Sequence, residues 1–139
     1  MKLNVVAVVF LFMIIGCTKP VSENEKVATL MFQYFNQHEW KKMAEMYAEN
    51  AQFLDPSFGS EYVSQTREQT ASKYAEMEKM FPDLHDEIVG MYSSGDKVIV
   101  EFVATGSSGD SIKFKLPIAA ILTIQDGKIV KDATYYDNQ

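Results

Sequence analysis

One cysteine and two histidines among 139 residues leave little from which to build a soft-metal site, and no disulfide can form within the chain. His38 and His85 stand alone, without a companion His, Cys or carboxylate at ligand spacing, so turn and surface roles are expected of both and no metal is assigned. A glycine-rich phosphate loop, a CxxC pair and a Ser-His-Asp set are all missing. Their absence removes the usual support for nucleotide use, thiol redox chemistry and nucleophilic catalysis, and no cofactor is expected. Positive charge is also scarce. The 13 Lys and Arg face 19 Asp and Glu, a net charge of −6. So acidic a chain is a poor match for nucleic acid, whose phosphates need a basic surface, or for electrostatic docking on anionic lipid.

What is present is apolar mass: 47% of the residues are hydrophobic and 12% aromatic, enough for one domain with a sizeable core. Part of it lies at the start, where Met1-Lys2-Leu3-Asn4 precedes an uncharged run from Val5 to Ile15. A basic start and an apolar middle are the marks of a secretory signal. The run falls short of the roughly 20 apolar residues that span a bilayer. It closes on Ile14-Ile15-Gly16-Cys17, which resembles the lipobox of bacterial lipoproteins, where the signal is cut before a cysteine that receives lipid. The expected organisation is a signal peptide over 1–16, the lipidated Cys17 and a tether over 17–24, and a domain over 25–139. Loss of Lys2 takes the net charge from −6 to −7. Acyl groups on Cys17 would then be the membrane contact, placing the domain in the bacterial cell envelope, on the periplasmic or cell-surface side.

Beyond the tether, Val27, Leu30, Met31, Tyr34 and Phe35 keep the spacing of one helical face, with Ser22 and Glu25 set as a capping box. Asn36-Gln37-His38 breaks the pattern, and Trp40, Met43, Ala44 and Tyr47 resume it in a second, shorter helix. Ala51, Phe53 and Asp55 share one side of a short strand. A third helix is expected over Tyr62–Met80, with Tyr74, Met77 and Phe81 facing inward. After Pro82 the pattern turns to strands: Leu84–Tyr92, Lys97–Thr105, Ser111–Ile124 and Lys128–Tyr136, separated by Gly- and Asp-rich turns. Helices first and an antiparallel sheet second is an α+β order.

The central strands are apolar on both faces. Ile112, Phe114, Leu116, Ile118, Ala120 and Leu122 oppose Lys113, Lys115, Pro117, Ala119, Ile121 and Thr123, and Val98, Val100, Phe102 and Ala104 oppose Ile99, Glu101 and Val103, so polar residues are too few for a clean alternation. A sheet with one wet face should alternate apolar and polar residues. A second copy of the same sheet is the expected cover, so a homodimer through the outer face is anticipated.

The order of elements, together with Phe35-Asn36-Gln37-His38-Glu39-Trp40, Met46-Tyr47-Ala48-Glu49-Asn50-Ala51, Phe81-Pro82-Asp83-Leu84, Gly95-Asp96-Lys97-Val98, Asp126-Gly127-Lys128-Ile129-Val130 and Tyr135-Tyr136-Asp137, resembles the nuclear-transport-factor-2-like superfamily, and within it the SnoaL-like group related to polyketide cyclases. The resemblance implies a cone of three N-terminal helices closed on a curved, mainly antiparallel sheet, with an apolar pocket between them. Members of that superfamily include isomerases, cyclases, dehydratases, hydrolases and proteins without catalysis, so fold alone does not choose. Ketosteroid isomerase, another member, carries its general-base aspartate in an Asp-Pro-x-Gly-Ser motif that Asp55-Pro56-Ser57-Phe58-Gly59-Ser60 resembles with one residue inserted. Its two hydrogen-bond donors would fall at Met31 and Ala119, neither of which can donate from its side chain, so steroid isomerisation is not assigned. The SnoaL-like cyclases imply an acid/base carboxylate on the inner side of the sheet. On the last strand that side would carry Asp132, Thr134 and Tyr136, and Glu101 is a third carboxylate to weigh.

The implied pocket set is therefore Met31, Phe35, Phe53, Asp55, Glu101, Ala119, Asp132, Thr134 and Tyr136, with Asp55 and Asp132 as candidate catalytic groups. A carboxylate among apolar walls is pushed toward neutrality and can exchange protons with a substrate. The plainer roles are a strand-ending Asp-Pro turn for Asp55, and a solvated strand face or a lysine partner for Asp132 and Glu101. Three functions follow: a lipid-anchored domain binding a small, largely apolar ligand; a cofactor-independent isomerase or cyclase using a pocket aspartate; or a protein-interaction module.

Overall fold

The computed structural model describes residues 21–109 and 112–137, so the leader and Cys17 lie outside the described residues. Helix α1 (Glu23–Asn36) begins as its capping box dictates: Ser22 accepts from the Glu25 amide, and Glu25 reaches back to the Ser22 amide. Ala28, Met31, Phe32 and Phe35 form its buried stripe. The Ser93 hydroxyl donates to Glu25 at 2.6 Å, which ties that first turn to the sheet.

Helix α2 (Trp40–Glu45) is shorter than its apolar spacing suggested. Tyr47, expected to continue it, opens strand β1 (Tyr47–Leu54) instead. The Ile129 amide donates to the Met46 carbonyl at 3.0 Å, and Tyr47 pairs in register with Ile129, so the sheet captures the chain just past the helix. Helix α3 runs over Arg67–Met80 and not from Tyr62, because Val63–Thr66 forms an additional strand, β2, against Asn50–Phe53. Thr66 and Gln69 make a second capping box at the true start. That Thr-x-x-Gln signal is present in the chain and marks the boundary better than the apolar spacing does.

Strands β3 (His85–Ser94), β4 (Lys97–Ser108), β5 (Ile112–Gln125) and β6 (Lys128–Tyr135) complete a six-stranded sheet of order β2-β1-β6-β5-β4-β3. All neighbours are antiparallel except β1 and β6, which run parallel. This is the expected α+β arrangement of three helices packed on a mainly antiparallel sheet. Val98, Val100, Phe102 and Ala104 are buried on the inner side with Ala120 and Leu122, while Ile99 on the outer side is 41% exposed. The helices are locked together by one node: Glu78 of α3 accepts from the Trp40 indole at 2.6 Å and lies 3.0 Å from His38 Nδ1. His38, in the left-handed turn between α1 and α2, reaches the Leu84 carbonyl with its other ring nitrogen at 2.8 Å. Gly106 has a packing reason: a Cβ there would come within 2.6 Å of the Phe114 ring, which packs edge-on against Phe81 at 5.1 Å.

Candidate functional site

Between the helices and the inner face of the sheet lies a cavity of about 290 Å³. Met31 and Phe35 of α1, Met77 of α3, Phe102 of β4 and Leu116 and Ile118 of β5 supply apolar walls. Three carboxylates enter it, Asp55, Asp86 and Asp132, and among the described residues Lys73 is the one cation that lines it.

Asp132 is brought inward by the alternation of β6 and is 7% exposed. The Tyr47 hydroxyl donates to one of its oxygens at 2.8 Å and the Thr134 hydroxyl to the other at 3.1 Å. Burial raises its pKa above the ordinary carboxylate value, while these two donors and the Lys73 charge pull in the opposite direction without overcoming it. Tyr47, itself fully enclosed and facing that carboxylate, is raised well above the ordinary phenol value.

Asp55 sits immediately after β1, and its environment is of another kind. The Ser57 amide donates to it at 2.8 Å, an Asx-type turn, and the Tyr136 hydroxyl donates to the same oxygen at 2.7 Å. Lys73 pairs with the second oxygen at 3.0 Å and lies over the Phe58 ring at 4.2 Å. Burial pushes this carboxyl up, but the Ser57 hydrogen bonds and the Lys73 charge outweigh it, and the net displacement is downward. Turn residue and cavity residue are thus both correct descriptions of Asp55.

Asp86 is absent from the set read out of the sequence. It lies on β3 and is 6% exposed, and among the described residues nothing donates to its carboxylate. Burial alone pushes it up to about 7. Alternation counted back from the β3–β4 turn would place Asp86 on the outer face. A bulge between Ile88 and Gly90 shifts the register by one residue, so that Asp86 pairs with Ala104 and turns inward. A bulge of this kind leaves no mark in periodicity. The one available hint was that Asp86 has the parity of Leu84, which is buried.

Six of the expected pocket residues, Met31, Phe35, Asp55, Asp132, Thr134 and Tyr136, do line the cavity. Three do not. Glu101 is exposed on the outer face, where the Tyr92 hydroxyl approaches it at 3.5 Å. Ala119 pairs with Glu101 and Tyr135 and shares that outer face, because strand alternation overrides its match to a pocket position elsewhere. Phe53 is buried but packs on the Tyr47 ring at 5.2 Å and lines a separate small cleft with Phe58, Thr70 and Tyr74.

The SnoaL-like domain family model matches residues 28–131. Among solved structures, IdmH of Streptomyces antibioticus, a candidate polyketide cyclase, superposes with a TM-score of 0.73 at 20% identity over 84% of this chain and 94% of its own. A hypothetical protein of ketosteroid isomerase-like fold from Catenulispora acidiphila DSM 44928, in complex with trimethylamine, gives 0.72 at 22% over 81% and 86%. A candidate polyketide cyclase from Bacillus cereus ATCC 10987 gives 0.70 at 25% over 84% and 75%. No curated protein matches the chain. Since the family model spans most of the chain and the same three-helix, curved-sheet architecture recurs in these structures, the chain belongs to the SnoaL-like domain family.

Proposed function

We propose that this domain is a cofactor-independent enzyme of the isomerase or cyclase kind, acting on a small, largely apolar molecule, with Asp132 as general base. The observation that carries the reading is a buried carboxylate in an apolar cavity, held on both oxygens by Tyr47 and Thr134. Burial keeps it more basic than a surface aspartate, and the two donors fix its direction. The carboxylate would take a proton from a carbon beside a carbonyl, leaving an enolate and a neutral Asp132. Returning that proton to another carbon completes an isomerisation. In a cyclisation the enolate carbon attacks a second carbonyl of the same molecule, and the proton goes to the new alkoxide. Asp55 is the weaker base of the two, since Lys73, Ser57 and Tyr136 already hold its charge. The descriptions of IdmH and the Bacillus cereus protein as candidate polyketide cyclases support this reaction class, and trimethylamine in the Catenulispora protein supports a small ligand. The test is exchange of the carbon-bound protons of β-tetralone in heavy water, followed by proton NMR. Faster exchange with the protein than with an equal concentration of Asp132→Asn is expected; equal rates would sink the catalytic reading.

Two further parts of the proposal concern assembly and place. The outer sheet face leaves Tyr92 57%, Tyr135 51% and Ile99 41% exposed, which supports a homodimer formed through it. Light scattering at tens of micromolar should give twice the chain mass, and a monomer would count against it. A lipid anchor on Cys17 would hold the domain in the cell envelope. A Cys17→Ala chain that still partitions with membranes would remove that part.

A further inference from the structure

The carboxylates of the cavity differ in what the folded chain provides for them. Lys73, the one cation lining the cavity among the described residues, is committed to Asp55 at 3.0 Å. Asp132 has its two hydroxyl donors. Asp86 has neither a cation nor a donor among the described residues, yet it is 6% exposed. Its position is not loose. The Asn36 side chain clasps the Asp86 backbone from both sides, accepting from its amide and donating to its carbonyl, each at 2.8 Å. Asn36 is the last residue of α1, so the negative end of that helix dipole lies beside the same strand position. The strand position is thus fixed by its backbone, while among the described residues no cation or hydrogen-bond donor meets the Asp86 carboxylate where it enters the apolar cavity.

A buried carboxylate without a donor is costly unless something brings the missing partner. The cavity that Asp86 enters is lined by aromatic rings, among them Phe35, Tyr74, Phe81, Phe102 and Phe114. Ring faces attract cations and disfavour anions. We propose that the cavity selects a small apolar molecule bearing a protonated amine, with the Asp86 carboxylate as its counter-ion and the surrounding rings as its second contact. The inference rests on the reading of the cavity as a ligand site and names the ligand's chemical class. It also divides the work between carboxylates: Asp86 holds the ammonium while Asp132 faces the reacting part of the same molecule. Burial alone raises Asp86 to about 7, so without a ligand the group is partly protonated at neutral pH, and a cation beside it would favour the carboxylate.

Three molecules with one apolar body and different charge test this: adamantane amine, adamantanol and adamantane carboxylate, each titrated calorimetrically into the protein at neutral pH. The amine should bind at least about 10-fold more tightly than the alcohol, equivalent to about 1.4 kcal/mol, and the carboxylate most weakly. Asp86→Asn should bring the amine down to the level of the alcohol while leaving the alcohol unchanged. Asp86→Leu should do the same, which guards against an effect peculiar to the asparagine amide. Equal binding of amine and alcohol, tightest binding of the carboxylate, or an amine preference that survives in both variants would overturn the proposal. If all three bind without regard to charge, the amine inference alone falls. If none enters, the ligand reading of the cavity falls with it.

Discussion

Asp132→Asn is expected to lower the rate of catalysed proton exchange by about 10²–10⁴-fold, the usual contribution of a positioned acid or base. Asparagine keeps the shape and can still accept from Tyr47 at one oxygen, so the cavity and its ligand affinity should change little. What disappears is the capacity to take a proton. The variant should also fold at least as well as the parent at neutral pH, because Asp132 is raised by burial and its charge is not a source of stability there. Loss of rate with unchanged melting and unchanged binding would separate chemistry from scaffolding. Asp55→Asn should act differently. It breaks the Lys73 ion pair at one oxygen while the other can still accept from Ser57 and Tyr136, so a moderate loss of rate together with lower stability is anticipated. If Asp55→Asn removed the activity while Asp132→Asn retained it, the base would have to be reassigned to Asp55.

Asp86→Asn is expected to stabilise the ligand-free protein by up to about 4 kcal/mol above pH 8 and by almost nothing near pH 4. The carboxyl holds its proton to about 7 in the folded chain, against an ordinary value of 3.8. Each unit of that difference is worth about 1.4 kcal/mol. Between those values the folded state binds the proton more than the unfolded state does, so stability falls as pH rises and the cost is complete once pH passes the folded value. Denaturant melts of parent and variant across this pH range measure it directly. The two curves should coincide at the acid end and part progressively through neutrality. Parallel curves would mean that Asp86 is solvated or partnered in solution, and the ligand argument built on it would weaken accordingly. Adamantane amine should close the gap at alkaline pH for the parent alone, since a ligand that binds only the native state adds to its stability.

The sequence carried more of the scaffold than of the site. Ser22 and Glu25 announced the first helix, and the apolar stripe of α1 and the alternation of β4 and β5 defined the inner faces. Alternation on β6 also placed Asp132, Thr134 and Tyr136 on one side, and all three line the cavity. These features depend on residues two to four positions apart, and local chemistry decides them. Phe53 and Ala119 went astray for opposite reasons. Phe53 lies on the buried side as expected but fills a cleft of its own, whereas Ala119 was placed by likeness to another protein and its own strand turns it outward.

The chain by itself therefore determined a domain of three helices and a mainly antiparallel sheet, and an inner face offering two of the three carboxylates. Tertiary structure alone decided what each carboxylate meets. The Tyr47 to Asp132 bond joins residues 85 positions apart and exists because β1 and β6 run in parallel; Lys73 finds Asp55 across 18 positions by the packing of α3. Asp86 enters the cavity because a one-residue bulge reverses the parity of β3. Periodicity records which side of an element is apolar, but register, bulges and helix docking decide which polar groups share that side, and those are set by packing of the whole chain.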